Sequence, residues 1–352
     1  MKAAKWYGKK DIRVEEIPNP PAPKPGEAQI KVAWCGICGS DLHEYLAGPI
    51  FIPMAPHPLT GAKAPIVLGH EFSGQVVAIG DGVQTVRVGD YVAPDACQHC
   101  GVCVTCREGR YNVCEKLAFT GLMADGAFAE YVNVPAELCY VLPKGFDLEA
   151  ASLIEPLATG FKAVRMAGSL LGKTVVVIGA GTIGLGTVMC AKAAGASTVV
   201  SIEIAEARKK LAKACGADIV LDPSDCDVIA EVKKMTNGSG ADVSFECVGQ
   251  KDTAPLAVDL IRNNGKAVIV GIFEEPSAFN FFSLSGTDKM VIGSLAYTID
   301  DFQGVGSLLA AGQIKASPLI TGRIKLEDIV EKGFDELVNN KATNIKIVVK
   351  PT

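Results

Sequence analysis

Between Trp34 and Glu44 the chain presents two thiols, a hydroxyl, carboxyls and an imidazole within eleven residues: Cys35, Cys38, Ser40, Asp41, His43 and Glu44. Thiolate and imidazole are metal ligands, and hydroxyl and imidazole are proton carriers. Gly39, Ser40 and Asp41 end the apolar run 28–33 and open a short predicted helix over 41–46, whose N-terminus favours a thiolate nearby. Cys38 is therefore a candidate metal ligand, weighed against a buried cysteine that merely fills space. Gly69-His70-Glu71 supplies a second pair of ligand types, and all four histidines precede residue 100.

Cys97, Cys100, Cys103, Cys106 and Cys114 fall within 18 residues. A loop this polar cannot order itself by apolar burial, whereas a tetrahedral thiolate site would clamp it. The spacing Cys100-x2-Cys103-x2-Cys106-x7-Cys114 supplies four ligands and leaves Cys97 over. Zinc is favoured over a set of free thiols and over an iron–sulfur cluster, whose ferredoxin spacing puts three residues before the last cysteine. Farther on, Glu155 stands between Ile154 and Pro156 in an apolar stretch. A buried acid there must be paired, protonated or bound to a cation.

Gly179-Ala180-Gly181-Thr182-Ile183-Gly184 follows the β-branched run Thr174–Ile178 and precedes a helical pattern. That is the setting in which small residues let backbone N–H groups approach a pyrophosphate at a helix N-terminus. Glu203 ends the next predicted strand, 19 residues beyond Gly184. Its carboxylate can accept hydrogen bonds from an adenosine ribose diol and would repel a 2′-phosphate, which favours NAD over NADP. Arg208, on the helix predicted over 205–215, is grouped with these cofactor-binding candidates.

These groups need a scaffold. A chain of 352 residues, 49% hydrophobic and 21% charged, is globular in composition and long enough for two domains. A net charge of −5 argues against nucleic acid as a partner. The first ten residues lack the apolar core of an export signal, so the twelve cysteines are expected as thiols or metal ligands in a cytoplasmic protein. Residues 174–191 carry no charge over 18 positions, but four glycines interrupt them, so the stretch reads as a buried strand and not as a membrane span.

Residues 1–33 and 72–93 alternate as β-strands, with a Pro-rich loop over 48–61 in which His57 reads as a packing residue. Residues 126–134 continue this β-rich part. A helical stretch over 147–168 is expected to be interrupted at Pro156. From 172 the texture becomes alternating strands (197–202, 219–221, 242–247, 267–272, 290–297) and helices (205–215, 253–262). Right-handed crossovers make this an α/β fold with a doubly wound parallel sheet. Helices near 302–311 and 326–339 and a terminal strand over 345–349 complete the chain.

Cys38-Gly39-Ser40-Asp41-Leu42-His43, Gly69-His70-Glu71, the Cys100–Cys114 cluster, Glu155-Pro156 and Gly179–Gly184 together resemble the zinc-dependent medium-chain dehydrogenase/reductase superfamily over essentially the whole chain. The resemblance implies a GroES-like catalytic domain over 1–154 with a structural zinc lobe at about 95–115, a Rossmann NAD-binding domain over 155–298, and a return of 299–352 to the catalytic domain. The active site would lie in the cleft between domains. It further implies a catalytic zinc on Cys38, His70 and Glu155, where ordinary alcohol dehydrogenases have cysteine in place of Glu155. A structural zinc would sit on Cys100, Cys103, Cys106 and Cys114. Ser40 and His43 would relay the hydroxyl proton, and Glu71 would stand behind the ligands or exchange with them.

Residues 34–46 and 48–60 are similar to the (R,R)-type 2,3-butanediol dehydrogenases. This implies hydride transfer between NAD(H) and a vicinal diol/hydroxyketone pair such as 2,3-butanediol and acetoin. The alternatives are a sorbitol-like polyol dehydrogenase, an L-threonine dehydrogenase, and a silent NAD- and zinc-binding structural protein. The last would be expected to lose a catalytic ligand, and all three are present. No membrane partner is expected. The resemblance implies a homo-oligomer, dimer or tetramer, in which residues 279–282 are either a subunit edge or core.

Overall fold

Ala28, Ile30 and Val32 alternate with Gln29 and Lys31, so strand β1 (Glu27–Gly36) buries one face and leaves the other wetter. It pairs antiparallel with β2 (Glu71–Ile79), with Cys35 opposite Phe72 and Gly36 opposite Glu71. The two strands are neighbours in a seven-stranded sheet ordered Cys139–Val141, Tyr91–Pro94, β2, β1, Lys346–Lys350 and Ile320–Lys325, with Tyr131–Pro135 also paired to β1. Trp6, Phe72, Phe128 and Phe334 fill the core beside this sheet. Each large side chain taken out of water there is worth roughly 2–3 kcal/mol.

The computed structural model describes residues 1–351. One unit holds Met1–Glu155, Tyr297–Ala310 and the chain from Ile320 onward; a second holds Pro156–Ala296 and Ala311–Leu319. In the first, helix α1 (Gly39–Ala47) begins two residues ahead of the expected 41–46. The break expected at Pro156 lies instead at Leu153, between helix Leu148–Ser152 and helix α2 (Ile154–Ala167). Pro156 falls in the first turn of α2, where a helix has no use for its missing N–H. The helix expected over 326–339 is α-helical only at Asp335–Asn339, after a π-helical turn at Ile329–Phe334. A Cβ on Gly333 would lie 2.7 Å from Ile37 Cδ1, so this turn sits close against Ile37.

The second unit is built on six strands: β3 (Thr174–Ile178), β4 (Thr198–Ile202), β5 (Ile219–Leu221), β6 (Ala241–Glu246), β7 (Ile261–Ile269) and β8 (Met290–Gly293). They form a sheet in the order β5-β4-β3-β6-β7-β8, with every neighbouring pair parallel. Val175, Val176 and Val177 are fully buried, as expected of a central strand covered on both faces. Helix α3 (Thr182–Ala193) carries the chain from β3 to β4. The helix expected over 253–262 stops at Asp259, because Ile261 pairs with Ala241 and already belongs to β7. Strand β8 ends at Gly293, short of the expected 297. Among the described residues, no helix is long and apolar enough to cross a membrane.

Candidate active site

The antiparallel pairing of β1 and β2 sets the end of one strand beside the start of the other. Cys38 follows β1, His70 precedes β2 and Glu71 begins it; one ligand atom from each lies within 4.8 Å of the others. Gly36 permits this, since a Cβ there would stand 2.2 Å from Glu71 Oε2. At the start of α1 the Cys38 N–H donates to Asp41 Oδ2 at 2.9 Å. Asp41 is fully buried, and its other oxygen lies 3.7 Å from His70 Nδ1. Nε2 of the same ring lies 3.2 Å from Ser40 Oγ. A carboxylate behind one ring nitrogen is how a ligating histidine is commonly oriented. Burial opposes a charge on His70, but Asp41, Cys38 and Glu155 outweigh it and hold its pKa well above the ordinary value. Burial pushes Asp41 up to about 6 against the pull of His70 and the Cys38 N–H.

Two acids complete the cluster. Glu71 Oε1 receives the Lys346 ammonium at 2.6 Å, and Lys346 Nζ also donates to the Ile37 carbonyl at 2.8 Å. The C-terminal strand Lys346–Lys350 places that lysine by pairing Val348 with Gly36 and Val349 with Cys35. Glu155, in the first turn of α2, accepts a hydrogen bond from the Tyr297 hydroxyl. Burial raises Glu155 to about 7, with Glu71 adding to the rise and His70 opposing it. Glu155 is thus close enough to feel His70 and Glu71 electrostatically, although it is not one of the tight trio. His43 lies half-buried on α1.

A divalent cation fits this donor set. Glu71 Oε2, Asp41 Oδ1 and His70 Nδ1 are buried without a hydrogen-bond partner among the described residues. Cys38, Glu71, Asp41 and Glu155 outnumber the one lysine available to them. Unpaired buried acceptors of this kind are expensive unless a cation or a donor meets them.

The cysteine lobe forms a second donor set. Cys100, Cys103, Cys106 and Cys114 converge, with sulfur–sulfur separations of 3.4 Å (Cys103–Cys106), 3.5 Å (Cys100–Cys114) and 3.9 Å (Cys103–Cys114). Four thiolates around zinc at their usual bond length stand about 3.8 Å apart, so the lobe is already shaped for the ion. Backbone N–H groups of Cys100 and Lys116 point at Cys114 Sγ. The Thr105 hydroxyl, with backbone N–H groups, lowers the Cys103 thiol to about 5. Cys97 stays outside the four: it is fully buried, and its N–H donates to Asp95 Oδ1 at 2.7 Å.

In the second unit the Gly179–Gly184 loop leads from β3 into α3. Gly179 has φ +89°, and a Cβ on Gly184 would lie 1.9 Å from the Gly179 carbonyl oxygen. Around Gly181, at the N-terminus of α3, a Cβ would meet only Arg208 Nη1 at 4.0 Å, so its face is open to a ligand. Thr182 and Ile183 form the first turn of that helix. Glu203 ties the loop from β4: Oε2 accepts the Ala180 N–H at 2.8 Å, and Oε1 accepts those of Ile204 and Ala205 at 2.8 and 2.9 Å. An open N–H cradle beside an acid suits a dinucleotide.

Sequence reasoning missed Lys346 and Tyr297. A lysine inside the apolar run Ile345–Val349 was a readable signal, since a strand lysine flanked by buried residues needs an anion. Tyr297 offered none, because nothing local relates it to Glu155. Phe281 and Phe282 are 75% and 79% exposed, whereas half-buried Phe279 packs against the core of the second unit, so the core reading holds for Phe279 and not for the two residues that follow Asn280.

A family model for the alcohol dehydrogenase GroES-like domain matches residues 24–144, and one for zinc-binding dehydrogenases matches 182–311. The chain is 42% identical to the (R,R)-butanediol dehydrogenase of Bacillus subtilis over the full length of both. It is 40% identical to that of Neisseria gonorrhoeae, covering 100% of this chain and 99% of the relative. The crystal structure of 2R,3R-butanediol dehydrogenase from Bacillus subtilis superposes with a TM-score of 0.93 at 41% identity, covering 100% of this chain and 99% of that one.

Proposed function

The chain belongs to the zinc-dependent medium-chain dehydrogenase/reductase superfamily, and on that premise we propose that it is an NAD-dependent, zinc-containing 2,3-butanediol dehydrogenase. It oxidises a vicinal diol to its hydroxyketone and runs the reverse reduction, with 2,3-butanediol and acetoin as the pair. The observation that carries this reading is the Cys38–His70–Glu71 trio, with His70 and Glu71 buried and Glu155 within electrostatic reach, in a chain alike end to end to (R,R)-butanediol dehydrogenases.

Cys38, His70 and Glu155 would hold the catalytic zinc, and Cys100, Cys103, Cys106 and Cys114 the structural one. An ion bound there would supply Lewis acidity to a substrate oxygen, favouring the alkoxide of an alcohol in one direction and a polarised carbonyl in the other. Asp41 stands 3.7 Å behind the His70 ring and Lys346 draws one Glu71 oxygen aside, so that both groups face charged neighbours before substrate arrives. Ser40, whose hydroxyl already bonds within the site, takes the alcohol proton and passes it toward His43 and water. NAD+ held by the Gly179–Gly184 loop would supply the hydride acceptor, the balance being alcohol and NAD+ to ketone, NADH and one proton. The Gly loop receives the pyrophosphate and Glu203 the ribose diol, which favours NADH over NADPH.

Twelve free thiols fit a reducing, cytoplasmic setting. A homo-oligomer is supported by the open edge of β8, where Met290 and Val291 are 40% and 39% exposed and Met290 lines one surface hollow with the exposed Phe281. Steady-state rates with 2,3-butanediol, acetoin, sorbitol and L-threonine, using NAD(H) and NADP(H), test the reading. Turnover of the diol pair with NAD(H) is expected to exceed all other combinations. A preference for sorbitol or threonine would overturn it.

A further inference from the structure

Glu246 is the last residue of β6, at the carboxyl end of the central sheet, with Ile178 of β3 on one side and Ile269 of β7 on the other. It is fully buried and has no ion-pair partner among the described residues. One oxygen, Oε1, gathers three donors at 2.8 Å: the N–H groups of Val248 and Gly249 and the hydroxyl of Thr253. The backbone carbonyl of the same residue accepts the N–H groups of Val270 and Gly271 at 2.9 and 3.0 Å. One residue thus ties together the loop after β6 and the turn after β7.

The two segments touch with no room to spare. A Cβ on Gly249 would lie 2.3 Å from the Ile272 carbonyl oxygen, and one on Gly271 would lie 2.4 Å from Gly249 N and 2.5 Å from Glu246 Oε2. On the other side, a Cβ on Gly179 would meet Val248 Cγ2 at 2.6 Å, so the pinned loop also abuts the phosphate-binding turn. Val248 and Ile272 are nevertheless 40% and 50% exposed, although the loops that carry them are held rigidly. In a doubly wound sheet, ligands lie outside the carboxyl ends of the strands, one mononucleotide over each half. The half built on β3, β4 and β5 carries Glu203, and that built on β6, β7 and β8 carries Val248 and Ile272. A carboxylate with one crowded and one bare oxygen is a costly way to stabilise a core, since the bare oxygen has lost its water.

We infer that Glu246 is a positioning residue for the dinucleotide, holding Val248 and Ile272 as a rigid apolar floor for its nicotinamide-ribose half. The inference rests on the NAD-dependent reading above. Glu246 touches no reacting atom; it acts through the loops it pins.

The test compares wild type with Glu246→Leu, Glu246→Gln and Thr253→Val, titrating NADH by its fluorescence and AMP by calorimetry. AMP occupies only the adenosine half. Leucine removes three charge-assisted hydrogen bonds and is expected to weaken NADH by about tenfold or more, leaving AMP within about twofold. Glutamine keeps an acceptor at Oε1 and is expected to bind NADH within about threefold of wild type, whereas Thr253→Val, losing one donor, weakens it about threefold. Glu246→Leu binding NADH as wild type does, or losing NADH and AMP in equal proportion, overturns the inference. If the leucine variant does not fold, Thr253→Val decides, and unchanged NADH affinity overturns the inference. A wild-type protein that binds no NADH sinks the cofactor reading and this inference together, whereas binding that no substitution alters sinks the inference alone.

Discussion

Lys346→Met cuts the buried ion pair with Glu71, leaving that carboxylate fully enclosed with Oε1 deprived of its ammonium and Oε2 already bare. Removing one partner of such a pair costs roughly 3–5 kcal/mol, because the remaining charge stays buried uncompensated. Methionine preserves the packing of the stem, and the lost bond to the Ile37 carbonyl adds about 1 kcal/mol. Metal-free protein is therefore expected to lose about 4 kcal/mol of unfolding free energy. Adding Glu71→Gln removes the stranded charge, so the double mutant recovers about half of the loss and the cycle returns a coupling of at least about 2 kcal/mol. Burial alone would lower the Lys346 pKa, but Glu71 and Cys38 outweigh it and the folded value is raised. A raised lysine contributes stability that is complete below the unfolded pKa and is lost only as pH rises past the folded one, so the effect is the same at pH 6, 7.5 and 9. The assay is urea unfolding followed by tryptophan fluorescence, on chelator-treated and zinc-reconstituted protein. In the variant Glu71 regains a cationic neighbour when zinc occupies the site, so zinc stabilises Lys346→Met more than wild type. A variant within about 1 kcal/mol of wild type in metal-free form, or effects that add with those of Glu71→Gln to within about 0.5 kcal/mol, would refute the reasoning.

Cys103→Ser removes one of four converging sulfurs, and metal analysis is expected to fall from two zinc ions per chain to one, with new protease cleavage within 97–115. An unchanged metal content would assign the lobe another role. Burial, with a contribution from the charge of Asp301, raises Asp95 to about 7 against the hydrogen bonds from Tyr111 and Cys97. Its contribution to stability is complete below about pH 4 and is lost as pH rises through about 7, by an amount on the order of 4 kcal/mol. Asp95→Asn lacks this titration, so the stability difference between wild type and variant is expected to move in favour of asparagine between pH 4 and 8; a pH-independent difference would contradict the assignment.

Much of this chemistry was legible because it is local. Four cysteines at short spacing can hardly avoid one another, and a G-x-G-x-x-G between a β-branched run and a helical pattern names its own backbone geometry. The element errors fell where tertiary contacts decide. Pro156 looked like an interruption but serves as a first-turn proline. The stretch 326–339 has helical periodicity, yet close packing of Gly333 against Ile37 coincides with a π-turn there.

Residue types and short spacings alone determined the two donor classes, the phosphate loop and the parallel βα texture, since each depends on neighbours a few positions apart. Only the folded chain decided that Glu71 joins Cys38 and His70 in one cluster, that Lys346 neutralises it across 275 residues, and that Tyr297 holds Glu155. The physical reason is that a buried charge is stable only where an opposite charge or a donor is brought to it, and which distant residue arrives is set by strand pairing and not by sequence proximity.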